Sequence, residues 1–311
     1  MGATPWIRTV LTTLAIANYR SIRQMTLPLG RLNVVTGANG TGKSNLYKAL
    51  RLLADTARGG VISTLAWEGG FESTLWAGPE NITRSTLSSS LPNFESMLAE
   101  LSDAKRTPEV TRIRDTVRSW RFYDHFRADR DSPARQPVVA TRTGVLAADG
   151  RDLIAALETI REIGDGPALD AAIDDAFPGA SVRSCAVDGR LKLEFEQPGL
   201  LRPLSAAELS DGTLRYLLWA AALLTPRPPP LMVLNEPETS LHPDLLPALG
   251  RLIVHAARNT QVWVVSHASR LVATLEEDGE CNAIQLDKEL GQSVVGTWGR
   301  LEEPEWRWPD R

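Results

Sequence analysis

The chain has 311 residues, of which 43% are hydrophobic and 23% charged, which is typical of a soluble globular protein and excludes a disordered or fibrous one. The formal net charge of −4 excludes a polycation, so nucleic-acid binding would need a local basic patch. Cys185 and Cys281 lie far apart without a C-x-x-C pattern, which argues against a disulfide scaffold or a zinc site and suits a reducing cytosol. Apolar runs such as residues 217–224 are too short to span a membrane.

The first segment of the chain has two interpretations. Arg8 followed by residues 9–17 faintly resembles a signal peptide. Threonines interrupt this run, which continues directly into Tyr19, so the pattern favours a first β-strand.

Residues 37–44, Gly-Ala-Asn-Gly-Thr-Gly-Lys-Ser, match the P-loop pattern G-x-x-x-x-G-K-[ST] at every fixed position. Residues 31–36 read as a strand that enters the loop, and residues 45–54 read as a helix that leaves it. A glycine-rich turn before an ordinary helix is the alternative, but the strand–loop–helix context favours a phosphate-binding loop.

The chemistry of such a loop assigns its residues. Glycines let the backbone approach phosphate oxygens closely, and successive N–H groups then point inward at the positive end of a helix. The Lys43 side chain would reach the β- and γ-phosphates, and the Ser44 hydroxyl would ligate Mg²⁺. The nucleotide-binding residues predicted here are Asn39, Gly40, Thr41, Gly42, Lys43 and Ser44.

The middle of the chain is less specific. After a serine-rich break at residues 85–92, helix-like patterns cover 94–102 and 109–120. An arginine-dense stretch interleaved with aspartates runs from Arg106 to Arg135, and it indicates either a solvated, salt-bridged face or a contact surface for nucleic acid or a partner.

Two more helices and a hairpin follow this stretch. Residues 152–163 and 168–177 have amphipathic helical patterns, and aspartates such as Asp165 are expected to be helix caps rather than metal ligands. Residues 182–187 and 191–196, joined through Asp188-Gly189, read as a β-hairpin.

The last third returns to an α/β pattern. Residues 214–224 read as an apolar helix, and the proline-rich residues 226–230 read as a loop. Residues 231–234 and 261–265 read as buried strands. Asn235-Glu236 follows the first of these, and a carboxylate at the C-terminal end of a buried strand is expected beside the P-loop, where Glu236 would polarise an attacking water.

Several motifs together resemble those of ABC-type ATPases. Residues 209–213, Leu-Ser-Asp-Gly-Thr, are similar to the signature motif. Residues 236–243, Glu-Pro-Glu-Thr-Ser-Leu-His-Pro, resemble the end of a Walker B motif that runs into a D-loop, and Ser266-His267 resembles the switch histidine. The motif order and the residues 120–126 resemble bacterial predicted ATPases of the RecF/Rad50/SMC-like and OLD-like branch.

The resemblance implies an α/β fold, a P-loop NTPase head of ABC type with two lobes. The expected segments are an N-terminal lobe at 1–85, a helical and β-hairpin insert at 86–200 and a C-terminal lobe at 201–311. The expected reaction is hydrolysis of ATP to ADP and phosphate with Mg²⁺ as cofactor.

The resemblance also implies a homodimer whose heads sandwich ATP. Ser210 and Gly212 would then bind the nucleotide held by the other subunit. Glu236 would be the general base, His267 would sense the γ-phosphate, and Ser44 and Asn235 would lie at the metal. For His267 the alternative is a histidine satisfied at a strand end, and for residues 209–213 it is a helix cap, which is compatible with the signature role.

Three departures from the family pattern are visible. Asn235 stands where an aspartate is usual, which removes one negative charge from the Mg²⁺ site and predicts low turnover. No glutamine occurs between Lys43 and Gln136, so the Q-loop has no evident counterpart. Neither long coiled-coil arms between the halves nor a nuclease domain after His267 is expected.

Three functional classes stay open at this stage. A DNA-associated ATPase of repair or antiphage defence agrees with the D-loop type and the arginine-rich segment. A nucleotide-gated switch that hydrolyses little and controls a separate effector protein agrees with Asn235. A transporter ATPase ranks last, because its D-loop and Q-loop would differ. In each of the first two cases we expect a cytoplasmic protein without membrane contact.

Overall fold

The computed structural model describes residues 11–78, 108–124 and 126–296. The helix predicted at 94–102, the serine-rich break, Arg106 and His125 lie outside these residues. The strands are β1 Thr13–Tyr19, β2 Ile22–Pro28, β3 Leu32–Gly37, β4 Arg121–Tyr123, β5 Val138–Val139, β6 Ser181–Val187, β7 Arg190–Glu196, β8 Leu204–Ser205, β9 Leu231–Asn235, β10 Gln261–Val265, β11 Cys281–Glu289 and β12 Gln292–Val295. The α-helices are α1 Lys43–Ala57, α2 Val61–Trp67, α3 Pro108–Arg118, α4 Leu153–Ile163, α5 Gly166–Ala176, α6 Asp211–Leu223, α7 Leu246–Ala257 and α8 Ser269–Glu276.

A six-stranded sheet with the order β12-β11-β3-β10-β9-β4 forms the centre of the fold. Its neighbouring strands are parallel except for β12, which pairs antiparallel with β11. The predicted α/β fold with a parallel sheet is therefore confirmed. Parallel strands place all their carboxyl ends at one edge, which is where open α/β sheets bind ligands.

The central strands are buried on both faces, as their continuous apolar sequences predict. Successive side chains point to opposite faces. Val34 and Val264 pack into a large core with α4, α6 and α7, whereas Val35 and Trp263 pack on the other face with α1 and β2. The sheet is thus the middle of three layers, and α1, which begins in the P-loop, lies on the face opposite α6.

Two smaller sheets flank the main one. Strands β1 and β2 form an antiparallel pair, so the N-terminal run that could have been read as a signal peptide contributes a strand. In the second sheet β7 pairs with β6 along its length, while the short β5 and β8 pair with separate parts of its other edge. The β6–β7 turn has Asp188 at φ 52° and Gly189 at φ 73°, the two positive values that a two-residue type I′ hairpin requires.

Most predicted elements occur within a few residues of their predicted bounds, and three differences matter for the site. Helix α3 ends at Arg118, two residues before the predicted end, and residues 121–123, for which no element was predicted, form β4. Strand β4 belongs to the main sheet, so the segment predicted as an insert at 86–200 also contributes a core strand. Helix α6 begins at Asp211, three residues before the predicted start.

Charged groups of the arginine-dense stretch are partly paired. Arg114 pairs with Asp115, and Arg127 pairs with Asp129 through an exposed bridge. Asp165 is the N-cap of α5, where its carboxylate accepts a hydrogen bond from Ala168 N, as predicted. No helix among the described residues is long and apolar enough to cross a membrane.

Candidate nucleotide-binding site

Three neighbouring parallel strands bring the predicted motifs to one edge of the sheet. Val265 of β10 lies opposite Val35 of β3 on one side and Asn235 of β9 on the other. The P-loop follows β3, Glu236 follows β9 and His267 follows β10. All three motifs therefore begin within a few residues of the carboxyl-terminal edge of the sheet. The structure thereby assembles residues that are more than two hundred positions apart in the sequence.

The P-loop has the backbone that its glycines allow. Gly37, Gly40 and Gly42 have φ values of 143°, 83° and 105°, which side chains rarely tolerate. A Cβ on Gly42 would lie 2.0 Å from Ser293 Oγ, so β12 closes the back of the loop. A Cβ on Gly40 would meet nothing within 4 Å, so that residue faces open space.

Lys43 lies at the start of α1 and is only 6% exposed. Its Nζ donates hydrogen bonds to Gly37 O at 2.6 Å and to Ala38 O at 3.0 Å, so the ammonium group lies over the loop. A buried cation bonded only to neutral carbonyls among the described residues lacks a counter-ion, and a phosphate group in the loop would supply one.

The N-terminus of α1 is open to a ligand. Gly42 is the N-cap and no side chain caps the helix, so the N–H groups of the first turn carry the positive end of the helix dipole towards the loop. Ser44 is exposed in this turn. These features are those of an anion site at a helix N-terminus.

The end of β9 has a sharp change of backbone direction. Glu236 has φ 49°, a left-handed conformation that is costly for a residue with a side chain, and its N–H donates to Val265 O at 2.8 Å. This bond to β10 holds the turn, and it leaves the carboxylate of Glu236 half-buried at the sheet edge beside His267, whose Nδ1 lies 4.0 Å away.

Glu238 is a site residue that the sequence motifs did not single out. Its side chain is buried, and Oε1 accepts hydrogen bonds from Ser266 Oγ at 2.8 Å and from His267 N at 2.9 Å. The same oxygen lies 3.3 Å from His267 Nδ1, so the carboxylate also contacts the imidazole ring. Glu238 therefore positions the loop that carries His267. The sequence signal that could have identified Glu238 was a second carboxylate two residues after Glu236.

Asp124 is a second carboxylate at this edge that the sequence reasoning did not assign. It follows β4, and its Oδ1 lies 3.4 Å from Nδ2 of Asn235. Asp124 is an acid that directly follows a strand, which is the pattern that identified Glu236. A strand of only three residues is too short for this pattern to be recognised in the sequence.

The signature segment lies next to the loop that follows β9. Ser210 is the N-cap of α6, where its Oγ accepts from Thr213 N at 3.1 Å. A Cβ on Gly212 would be 3.8 Å from Ser240 O, so the two loops are adjacent. Among the hydrogen bonds of the described residues, none joins Ser210 or Gly212 to the P-loop of the same chain.

Two buried arginines hold the signature segment in position. Arg135 donates to Ala206 O at 2.7 Å, to Leu209 O at 2.9 Å and to Asp211 Oδ1 at 2.7 Å. Arg215 on α6 donates to Thr239 O at 2.7 Å, which ties the signature helix to the loop after β9. Burial lowers the pKa of Arg215. Neither arginine was identified from the sequence.

The donor set at the sheet edge fits a magnesium–nucleotide complex. Ser44 offers a hydroxyl, Asn235 an amide oxygen and Asp124 a carboxylate, and Mg²⁺ prefers oxygen ligands. In the part of the chain that the structure describes, no three His, Cys, Asp or Glu side chains form a metal cluster by themselves.

Comparisons with solved structures find the same architecture in SMC head domains. An SMC head bound to the C-winged helix domain of ScpA aligns with a TM-score of 0.59 and 15% identity, covering 94% of this chain and 99% of that one. The Pyrococcus furiosus SMC head with an extended coiled coil, bound to the C-terminal domain of ScpA, aligns at 0.57 and 12%, covering 92% and 95%. The Thermotoga maritima SMC head aligns at 0.50 and 17%, covering 92% and 98%.

At such identities these structures establish the fold alone, that of an SMC-type ATPase head. Comparison with curated protein sequences finds no match. A family model described as "AAA domain, putative AbiEii toxin, Type IV TA system" matches residues 32–273, which include the P-loop, the signature segment, Glu236 and His267. The chain therefore belongs to this family of AAA-domain ATPases and has the P-loop fold of an SMC or ABC-type head.

Proposed function

We propose that the protein binds ATP with Mg²⁺ and hydrolyses it to ADP and phosphate, in a cycle that joins two heads and separates them. The observation that carries the proposal is the meeting of the P-loop, Glu236 and His267 at the carboxyl ends of β3, β9 and β10. Each motif alone has a structural explanation. Their placement at one edge around an uncapped helix N-terminus is what a nucleoside triphosphate requires.

In the proposed reaction a water oxygen attacks the γ-phosphorus, the bond from that phosphorus to the bridging oxygen breaks, and ADP leaves. Glu236 takes the proton of the attacking water. Lys43 binds the β- and γ-phosphates, and His267 donates from Nε2 to the γ-phosphate. Mg²⁺, when bound, would neutralise charge on the phosphates, with Ser44 and Asn235 beside it.

The signature segment supports the dimer part of the proposal. Ser210 and Gly212 belong to an exposed helix N-terminus that is adjacent to Ser240, not bonded to its own P-loop. In a dimer, this positive end would face the γ-phosphate held by the partner. SMC heads of known structure bind ScpA, and a protein partner for this chain is proposed by analogy with them.

Nucleotide binding is tested by calorimetry on Lys43→Ala. We expect at least a 100-fold loss of ATP affinity, because the substitution removes the cation at the phosphates. Lys48→Ala is the matched control, since Lys48 lies on the same helix and pairs with Glu68 instead. Equal affinities of Lys43→Ala and wild type would refute the P-loop assignment.

Hydrolysis and dimerisation are tested together with Glu236→Gln. The amide keeps the shape of the side chain but cannot accept the proton, so ATP should bind, turnover should stop and a dimer should accumulate. Light scattering with Mg-ATP measures the dimer. A variant that stays monomeric would contradict the ATP sandwich.

A second candidate function, a switch with little hydrolysis that controls an effector protein, is favoured by Asn235. It replaces a negative charge near the metal with a neutral amide. Tight ATP binding by the wild type with negligible release of phosphate would support the switch.

A role on DNA, in repair or antiphage defence and in the cytoplasm, is the proposed setting for the ATPase. Its support is the arginine-rich helix α3. Arg121 lies on β4 in the main sheet, so the contact test is restricted to Arg112, Arg114 and Arg118. Neutralising these three should weaken DNA binding and flatten its salt dependence in a mobility-shift assay at two salt concentrations. Equal slopes for variant and wild type would exclude α3 as the contact surface.

A further inference from the structure

The sheet edge holds a carboxylate on the strand beside Asn235. Strands β4 and β9 are parallel with Tyr123 opposite Leu234, so the next residues of the two strands, Asp124 and Asn235, are neighbours. Nδ2 of Asn235 faces Asp124 Oδ1 at 3.4 Å. The same amide has a carbonyl oxygen, which is the atom of Asn235 that can accept a cation.

Helix α1 presents one face to this carboxylate. Arg51 Nη1 donates to Asp124 Oδ2 at 2.7 Å and to the Tyr47 hydroxyl at 2.9 Å. Ser44, Tyr47 and Arg51 are spaced three and four residues apart, so they lie along the same side of the helix. The side that carries the Ser44 hydroxyl is therefore the side that faces Asp124.

The surrounding charges leave Asp124 available to a cation. Arg51 and Asp124 are 46% and 37% exposed at their side chains, so their ion pair is solvated and weak. The amide of Asn235 contacts the same carboxylate independently of the Arg51 ion pair.

An Mg²⁺ site on a nucleotide usually has one or two protein carboxylates, and Glu236 is reserved for the attacking water. We propose that Asp124 supplies the negative charge of the metal site that Asn235 does not. In this chain the negative charge of the metal site would thus lie after β4, instead of at the end of the adjacent strand β9. This inference rests on the proposed binding of Mg-nucleotide.

The test measures metal affinity rather than turnover. Mn²⁺ replaces Mg²⁺ and is titrated by electron paramagnetic resonance on protein saturated with a non-hydrolysable ATP analogue. The variants are Asp124→Asn and the exchanged double variant Asp124→Asn with Asn235→Asp. Asp170→Asn is the control, because it also removes one carboxylate of an exposed ion pair, that with Arg161.

We expect Asp124→Asn to weaken Mn²⁺ binding about tenfold or more, and Asp170→Asn to leave it unchanged. The exchanged variant has the same two side chains in swapped positions, so it should recover Mn²⁺ affinity to within about threefold of wild type. Unchanged Mn²⁺ affinity in Asp124→Asn, or no recovery in the exchanged variant, would overturn the proposal.

Arg51→Gln separates the metal role from the ion pair. It removes the pair but keeps the Asp124 carboxylate, so Mn²⁺ binding should be equal to or tighter than in wild type. If Arg51→Gln and Asp124→Asn weaken Mn²⁺ binding equally, Asp124 acts only through Arg51. Calorimetry of the analogue at saturating Mg²⁺ tests the proposed function separately, because absence of binding to the wild type under those conditions would refute nucleotide binding whatever the Mn²⁺ data show.

Discussion

Two helix N-termini in this molecule have the same expected ligand and opposite construction. Helix α1 begins at Gly42 without a side-chain cap, and the loop before it is open at Gly40. Helix α6 begins at Ser210, whose hydroxyl already accepts from Thr213 N. The first terminus is therefore open to a phosphate. At the second terminus the Ser210 hydroxyl already accepts a hydrogen bond from the first turn, and this bond would have to be replaced for a phosphate to bind there.

The support of the two termini also differs. The P-loop is fixed by local glycine geometry and by contact with Ser293 of β12. The signature segment is fixed from outside, by the buried Arg135 and by Arg215. The P-loop therefore depends on its own glycines and one neighbouring strand, whereas the signature segment depends on two arginines from other parts of the fold.

The largest effect on stability is expected from Arg135→Ala. The guanidinium is 6% exposed and bonds several carbonyl groups around the signature segment, so its removal leaves buried acceptors without donors. We expect the free energy of unfolding to fall by about 3–5 kcal/mol. Urea unfolding measures it, with Arg202→Ala as control, because Arg202 is an exposed partner of Glu208. Equal stability of the two variants would show that the segment does not depend on Arg135.

A smaller difference in stability is expected between alanine substitutions at two glycines, Gly42 and Gly212. Gly42→Ala would force a Cβ to 2.0 Å from Ser293 Oγ at a φ of 105°, so it should cost about 1–3 kcal/mol of stability. Gly212→Ala has room, since its Cβ would lie 3.8 Å from Ser240 O, and stability should be unchanged or rise by up to about 1 kcal/mol. Thermal unfolding compares them. The reverse order would contradict the view that only the P-loop is constrained by its own glycine.

The loss of stability expected at Ser210 is smaller than the losses expected at Arg135 and Gly42. Ser210→Ala removes the N-cap and should cost about 1 kcal/mol, whereas Ser210→Asp keeps a capping oxygen and should be as stable as wild type. In a Glu236→Gln background, the aspartate should nevertheless prevent the ATP-dependent dimer, because its charge repels the γ-phosphate. Thermal unfolding and light scattering measure the two quantities. A dimer that forms normally with Ser210→Asp would remove Ser210 from the proposed nucleotide contact.

The sequence by itself determined the elements whose information is local. The P-loop at 37–44, the buried strands β9 and β10 and the β6–β7 hairpin each have a pattern within about ten residues, because glycines, apolar runs and turn residues act on their own backbone. A helix cap within residues 209–213 was predicted for the same reason, and Ser210 is the residue that provides it, although α6 begins earlier than its apolar pattern indicated.

Tertiary structure alone decided which distant side chains share the site. Asp124 becomes a neighbour of Asn235 only because the three-residue β4 pairs with β9 across more than one hundred positions of sequence. Arg135 reaches Leu209, and Glu238 reaches His267, through hydrogen bonds that no periodicity encodes. Strand pairing and buried polar bonds depend on the whole fold being formed, whereas a phosphate-binding loop depends on the conformations that its own residues permit.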